Sequence, residues 1–333
     1  MTYTIKDLVS DQEVRWCPGC GDYSILKQVQ TVLPELNIPK EDIVFVSGIG
    51  CSSRFPYYMN TYGVHSIHGR APAFATGLKL ANPKLSVWVI TGDGDALSIG
   101  GNHLIHTLRR NPDINILLFN NEIYGLTKGQ YSPTSKVGAN TKSSPFGTVD
   151  IPFNPLALAL GANAAFVART MDRDPVHLRT MLKRTHQFKG SGFLEIYQNC
   201  NVFNDGAFEQ FTEKKSKEET TLFLEHGKPL IFGTNKSKGL KLEGLQLKVV
   251  DLNNHGIEDL MLHDEHDYMK AQLLVRCFDE ENDLPRPFGV FYENKNATPY
   301  EQIVYEQQTA ITSQKGQGNL EALIKGTQNW EVA

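Results

Sequence analysis

The run from Val87 to Gln130, VWVITGDGDALSIGGNHLIHTLRRNPDINILLFNNEIYGLTKGQ, leaves little freedom in how this chain can fold. It reads as a strand (Val87 to Thr91), a tight glycine turn, a helix from about Asn102 to Arg110, a second strand (Ile114 to Asn120) and a loop. That is one βαβ unit, and such units build parallel sheets with helices on both faces. Gly92 and Gly94 bracket Asp93, so backbone can approach a ligand closely there, and the helix that follows directs free N–H groups at any anion in the turn. A carboxylate cannot itself partner an anion. A hard cation between the two resolves the conflict, and magnesium, which takes oxygen ligands and commonly keeps a phosphate in its shell, suits it.

The rest of the chain must supply the other strands, and 333 residues at 40% hydrophobic content bury one large core or two modest ones. A formal charge of −4 argues against a nucleic-acid surface. No apolar run is long enough to cross a membrane, and MTYTIKDLVSDQEVRW lacks the basic start and apolar core of an export signal, so the expected setting is the cytoplasm. Five cysteines are too few and too unevenly spaced for a disulfide framework, which makes them thiols or metal ligands.

CPGC, Cys17 to Cys20, precedes an amphipathic helix whose Ile25, Leu26, Val29 and Leu33 share a face. CxxC alone serves a redox pair, half a zinc site or half an iron–sulfur site. The redox pair needs a preceding strand, and none precedes Trp16, which leaves metal. Ile43 to Ser47 is a buried-type strand, GIGCSS its turn, and about Ala71 to Leu80 a helix. From Ile43 to Gly92 there is no Asp or Glu, while Arg54, His65, His68, Arg70, Lys79 and Lys84 all fall inside, so the segment favours an anion. GIGCSS is no dinucleotide fingerprint, because the third glycine is missing. The run YSPTSKVGANTKSSPFGTVDIPFNP has the make-up of a long loop. A helix (Pro155 to Leu160), a strand (Ala164 to Ala168), a helix opened by Asp174-Pro175 and a strand (Gly192 to Tyr197) bring the parallel sheet to about five strands.

Ligands of an open parallel sheet collect outside the carboxyl ends of its strands. Cys51, Asp93, Asn121 and Cys200 each stand at such an end, so all four belong on one edge, and two thiols there plus a CxxC favour a shared metal centre. Beyond Asn204, short apolar runs alternate with charged, Gly-bearing turns, which suggests hairpins, and helical patches follow at Tyr300 to Gln308 and Leu320 to Lys325. Residues 206–333 are expected to be an extension packed on the domain of residues 1–205 or on a partner. His263 and His266 have metal-like spacing, yet Asp264, Glu265 and Asp267 interleave them, and a solvated acidic turn is the expectation. Cys277 reads as a core thiol.

GDG followed after a crossover by NN resembles the magnesium-diphosphate signature of thiamine-diphosphate enzymes. The resemblance implies Asp93, Asn121 and the main-chain oxygen of Ile123 as cation ligands. A zinc ribbon usually supplies two CxxC pairs, whereas one pair joined by two solitary cysteines suits a cubane, in which each iron takes one thiolate. Taken with GDGD and NN, the motifs CPGC, GIGCSS, HGRA, YGLTKGQ and Cys200 resemble the β subunit of 2-oxoacid:ferredoxin oxidoreductases, particularly the 2-oxoglutarate type, closely up to about Asn204 and more loosely beyond.

What this implies is a doubly wound, mostly parallel α/β fold holding thiamine diphosphate, Mg2+ and a [4Fe-4S] cluster. Cluster ligands would be Cys17, Cys20, Cys51 and Cys200. Cofactor contacts would come from Ile49, Gly50, Cys51 and Ser52, from Ser66, Ile67, His68 and Gly69, from Gly94 and Asp95, and from Gly125 and Leu126. The family oxidatively decarboxylates a 2-oxoacid, passes electrons singly through the cluster to ferredoxin and hands the acyl group to coenzyme A. Its thiamine ring is activated by a carboxylate from a second domain. No second run of crossovers follows residue 205, so an α subunit is expected to supply it. Arg54 and Lys128 are cations near the expected reaction centre, suited to an oxoacid carboxylate. Three alternatives stay open: a pyruvate or broad-specificity member, a non-redox thiamine decarboxylase, and a zinc-stabilised scaffold.

Overall fold

The computed structural model describes residues 3–278 and 283–330. Its strands in chain order are β1 (Ile43–Ser47), β2 (Tyr62–His65), β3 (Ser86–Gly92), β4 (Ile114–Asn120), β5 (Phe166–Met171), β6 (Gly192–Tyr197), β7 (Thr221–Phe223), β8 (Ile231–Phe232), β9 (Lys238–Glu243), β10 (Gln246–Asp251) and β11 (Arg286–Glu293). Eight of them form one sheet in the order β2-β1-β3-β4-β6-β5-β11-β7. From β2 to β5 every pairing is parallel, so these strands end on the same edge.

Both faces are covered, and the side-chain alternation of each strand decides what covers them. Val44, Val46, Val87, Val89, Ile116 and Leu118 face the helices α2 (Ala71–Ala81), α4 (Gly101–Arg110) and α5 (Pro155–Gly161), meeting Ala75, Leu104, Leu108 and Leu156. Phe45, Trp88, Ile90, Leu117 and Leu194 face the other way, onto Ile25 and Val29 of α1 (Asp22–Val32) and Leu178 and Leu182 of α6 (Pro175–Gln187). Asp174 caps α6 by accepting from the His177 N–H at 3.1 Å, with Pro175 at the first helical position.

Three features depart from the sequence reading. The GDG turn is the opening of a short helix, α3 (Asp93–Leu97), entered directly from β3. The edge strand β2 escapes a hydrophobicity reading because YGVH lies mostly exposed, with β1 on its only paired side. The turn around His263 is not solvated: His263 is 1% exposed and Glu265 8%, and Arg184 bridges Glu265 and Glu293 at 3.0 and 2.6 Å. The expected hairpins are present as the antiparallel sheet of β8, β9 and β10. In addition, β11 joins the main sheet antiparallel to β5, and β7 pairs parallel to β11. Cys277 is buried, as a core thiol should be, and burial pushes its thiol up to about 12.

A buried ion pair sits between β5 and β6. Arg169 Nε donates to Glu195 Oε2 at 2.6 Å with both side chains fully buried, and Asn120 Nδ2 donates to the other Glu195 oxygen at 2.8 Å. Glu195 thereby fixes the last residue of β4, one position before Asn121. Removing one member leaves a bare buried charge, so Arg169→Met is expected to cost about 3–5 kcal/mol, and the double change Arg169→Met with Glu195→Leu distinctly less. Denaturant midpoints of the two variants test this; equal losses would contradict it.

Candidate active site and thiol pocket

Four loops leave the carboxyl ends of β1, β3, β4 and β6, and the side chains they carry meet in two adjoining cavities. The first, of ≈ 100 Å³, is lined by Ile49, Gly50, Cys51, Ser52, His68, Asp93, Gly94, Asp95, Asn121, Ile123, Gly125 and Leu126 among others. The second, ≈ 190 Å³, is lined by Cys17, Cys20, Cys51 and Cys200 together with Arg15, Trp16, Arg54, Asn121, Gly125, Leu126, Lys128 and Gln198. Cys51, Asn121, Gly125 and Leu126 are common to both.

Asp93 is 2% exposed, and its Oδ2 accepts from Ser132 Oγ and Thr134 Oγ1, both at 2.5 Å. Burial pushes its carboxyl up; only neutral hydroxyls and backbone N–H groups pull it back down. A carboxylate so placed lacks a positive partner, and a divalent cation provides one. Asn121 turns its Nδ2 toward Gln198 Oε1 at 2.9 Å, while its Oδ1 accepts from the Ile123 N–H at 3.2 Å. Between them Glu122 adopts φ 56°, a left-handed kink that reverses the chain before the Ile123 carbonyl. The donor set is all oxygen, which fits magnesium.

Asp95 does something the sequence did not disclose. Its Oδ1 accepts from the Ile49 N–H at 3.1 Å and the Gly69 N–H at 2.7 Å, and its Oδ2 from Thr91 Oγ1 at 2.7 Å. One carboxylate thus ties the loops after β1 and β2 to β3. His68 Nδ1 stands 2.6 Å from the same Oδ1 without meeting hydrogen-bond geometry. A Cβ on Gly48 would overlap this carboxylate, and a Cβ on Gly94 would overlap the Tyr124 ring, whose hydroxyl donates to the Gly94 carbonyl at 3.1 Å. Of the expected cofactor contacts, Ser66 and Ile67 do not line the cavity: Ser66 Oγ donates to the Ser47 carbonyl at 2.8 Å, and Ile67 is exposed. Gly69 is held just behind it, at φ 70°, by Asp95.

The thiol pocket is stitched together from three distant segments. Trp16 Nε1 donates to the Cys51 carbonyl at 2.6 Å, the Gly21 N–H to the Asn199 carbonyl at 3.1 Å, and Asn201 Nδ2 to the Pro18 carbonyl at 2.7 Å. Gln198 Nε2 donates to Cys20 Sγ at 3.2 Å. A Cβ on Gly125 would sit 3.5 Å from Cys51 Sγ and 3.6 Å from Cys200 Sγ, so those sulfurs face each other across a glycine. Burial pushes the Cys20 and Cys200 thiols up and that of Cys51 up to about 12. Metal binding reverses that cost by making thiolate the stable form.

Among the described residues no three of these sulfurs come within 4.8 Å of one another. Zinc–sulfur bonds of about 2.3 Å put tetrahedral sulfurs about 3.8 Å apart, so this set is too open for one zinc ion. Behind the pocket, burial and the neighbouring Asp172 push Asp22 up to about 7. Arg54 borders the thiol pocket half-buried, and Lys128 borders it exposed, at φ 74°. Trp16, Gln198, Ser132, Thr134 and the tying role of Asp95 were missed in the sequence, since none belongs to a spaced motif.

Residues 48–196 match the family model described as thiamine pyrophosphate enzyme, C-terminal TPP binding domain, so the cofactor class is thiamine diphosphate. The 2-oxoglutarate oxidoreductase subunit KorB of Mycobacterium tuberculosis is 51% identical over 331 residues, 98% of this chain and 88% of that protein. A 2-oxoacid:ferredoxin oxidoreductase β subunit of Aeropyrum pernix is 49% identical over 190 residues, 57% of this chain and 60% of the relative. Among solved structures, the 2-oxoglutarate:ferredoxin oxidoreductase from Magnetococcus marinus, with 2-oxoglutarate, coenzyme A and succinyl-CoA bound, superposes with a TM-score of 0.77 at 29% identity over 98% of this chain and 97% of that one. The chain belongs to the β subunits of the 2-oxoacid:ferredoxin oxidoreductases, and a β subunit implies an α partner.

Asp95→Ala leaves the Ile49 and Gly69 N–H groups without their acceptor, at about 1–3 kcal/mol each. The purified complex should then retain thiamine diphosphate about tenfold less well, while Asp95→Asn, which keeps one acceptor oxygen, recovers part of it. Thiochrome fluorescence of the bound fraction reads this directly; full retention by the alanine variant would show that the tie is dispensable.

Proposed function

We propose that this chain is the β subunit of a 2-oxoglutarate:ferredoxin oxidoreductase that forms succinyl-CoA and carbon dioxide from 2-oxoglutarate and coenzyme A. Asp93, Asn121 and the Ile123 carbonyl hold Mg2+, Cys17, Cys20, Cys51 and Cys200 hold a [4Fe-4S] cluster, and ferredoxin takes the electrons in the cytoplasm, where thiols stay reduced. Residues 1–205 carry these loops, and 206–333 act as the bracing extension. The observation that carries the reading is the shared wall: Cys51, Asn121, Gly125 and Leu126 border both the cofactor cavity and the thiol pocket. Thiamine diphosphate supplies an electron sink for decarboxylation and the cluster a one-electron exit.

This chain's residues orient and insulate that chemistry. Ile49 to Ser52, His68, Gly94, Gly125 and Leu126 shape the cofactor's seat, with Ser66, Ile67 and Gly69 around it and Asp95 holding their loops in place. Cys51 borders both cavities, so as a cluster ligand it would join the cluster's pocket to the cofactor's seat. Gln198 places an N–H on Cys20 sulfur, the kind of contact that sets a cluster's potential. Trp16, 6% exposed, closes the pocket beside Cys51.

For substrate choice, the Magnetococcus marinus structure binds 2-oxoglutarate and coenzyme A, and the 2-oxoglutarate synthase subunit KorB of Methanocaldococcus jannaschii is 38% identical over 71% of this chain. Arg54 offers a guanidinium for the second carboxylate that distinguishes 2-oxoglutarate from pyruvate.

The isolated chain should be inactive, because the activating carboxylate comes from the α subunit. The α–β complex, assayed anaerobically with a panel of oxoacids, coenzyme A and ferredoxin, should be brown and prefer 2-oxoglutarate. A colourless, active complex would favour the non-redox decarboxylase instead. Cys200→Ser should lose the visible absorbance and ferredoxin reduction together. Arg54→Ala should raise KM for 2-oxoglutarate about tenfold and leave that for pyruvate nearly unchanged. An equal rise for both would remove Arg54 from substrate selection.

A further inference from the structure

On the opposite edge of the sheet, two distant segments bring a second set of ligating side chains together. His226 lies between β7 and β8, Glu265 and His266 lie in the turn before the helix Tyr268–Leu274, and their ligand atoms all fall within 4.8 Å of one another. Glu293, whose carbonyl bonds His266, pairs with Phe166 at the amino end of β5, so the group is remote from the loops that carry the cofactor site. We propose that His226, Glu265 and His266 form a binding site for one divalent transition-metal ion of the zinc class.

The histidine tautomers favour this. His266 Nδ1 donates to the Glu293 carbonyl at 2.8 Å, which leaves the Nε2 lone pair bare, 3.9 Å from Glu265 Oε1. A backbone carbonyl on one ring nitrogen is the usual support for an imidazole that ligates through the other. The His226 ring lies 4.9 Å from that of His266, and its Nδ1 accepts only a long 3.3 Å bond from the Glu265 N–H, so a metal there displaces little. Glu265 gives Oε1 to Arg184 and keeps a second oxygen for an ion.

Charge favours it as well. Three carboxylates, Asp264, Glu265 and Glu293, face two cations: Arg184 bridges Glu265 and Glu293, and Lys270 acts on Asp264, whose Oδ1 lies 3.7 Å from His226 Nδ1. The neighbourhood is therefore short of positive charge. An independent sign comes from His263, which is 1% exposed, donates through Nε2 to the Val290 carbonyl at 2.8 Å and leaves its Nδ1 buried without a partner. The His263 carbonyl accepts from the Gly227 N–H at 2.8 Å, so this residue stands beside the chain at His226. Nitrogen and carboxylate donors together select zinc-class ions over magnesium or calcium. An ion here would pin the His226 loop to the turn at 264–267 and to β11.

The test is calorimetric titration of Zn2+ into the anaerobically purified α–β complex, cluster intact and Mg2+ in excess. One Zn2+ per β chain is expected, with affinity lowered at least about tenfold in His226→Ala and in His266→Ala and with oxoacid turnover unchanged in both. Saturating Zn2+ should also raise the melting temperature of the wild-type complex and not that of His226→Ala. Because the His266 ring also bonds Glu293, that variant can fail to fold; His226→Gln, which alters a half-exposed side chain, then carries the comparison. No binding at one equivalent, or the same affinity in wild type and in the His226 variants, would overturn the site.

Discussion

A parallel sheet turns sequence distance into proximity. Neighbouring strands β1, β3, β4 and β6 run in register and in one direction, so whatever follows each of them emerges on a common edge. Cys51, Asp93, Asn121 and Cys200 are spread over much of the chain, yet each needs only to stand a few residues past its strand to reach the others. The chemistry therefore depends on strand order more than on any single contact. A different crossover order would keep every motif and scatter the site.

That edge also concentrates charge that the interior dislikes. Asp22, Asp93 and Asp172 are all nearly or fully buried, and each is pushed up by its burial. Cys20, Cys51 and Cys200 are pushed up by the same cause. Acids and thiols placed so densely oppose one another when ionised, and cations are the compensation that lets all of them ionise at once. An electrostatic cost of this kind is one that bound cations would remove. Asp95 differs, because three donors already satisfy it, and it can act as a rigid tie instead.

What the sequence disclosed follows from this division. Strand runs such as Ile114–Asn120 and Gly192–Tyr197 were legible to the residue, because strands covered on both faces are continuously apolar and end where that pattern ends. Metal-type residues at strand ends were legible as a set. The residues that hold them were not: Ser132 and Thr134 sit inside a long polar loop, where any hydroxyl resembles any other until the fold shows which ones reach Asp93. The turn around His263 and His266 misled for a related reason. Its interleaved acids suggest a solvated turn, but His263 is buried against the Val290 carbonyl, and the ring beside His266 is that of His226, forty residues earlier by way of another sheet. Local spacing reports on rigid local elements, and a turn is not one. β2 was invisible because a strand at a sheet's rim buries too little to leave a pattern.

The wall between the two cavities shows why one loop carries both functions. Cys51 opens the helical turn Ser52–Tyr58 and borders both cavities from one short segment. Trp16 fixes that segment through the Cys51 carbonyl, and Trp16 itself immediately precedes Cys17. Gly125 closes the wall from the other side, where a Cβ would stand at ordinary contact distance, 3.5 and 3.6 Å, from the Cys51 and Cys200 sulfurs. A redox group joined to a catalytic cofactor by a flexible connection would lose electrons to competing paths whenever the gap widened. Groups held in these two cavities would instead have their distance set by backbone at a strand end.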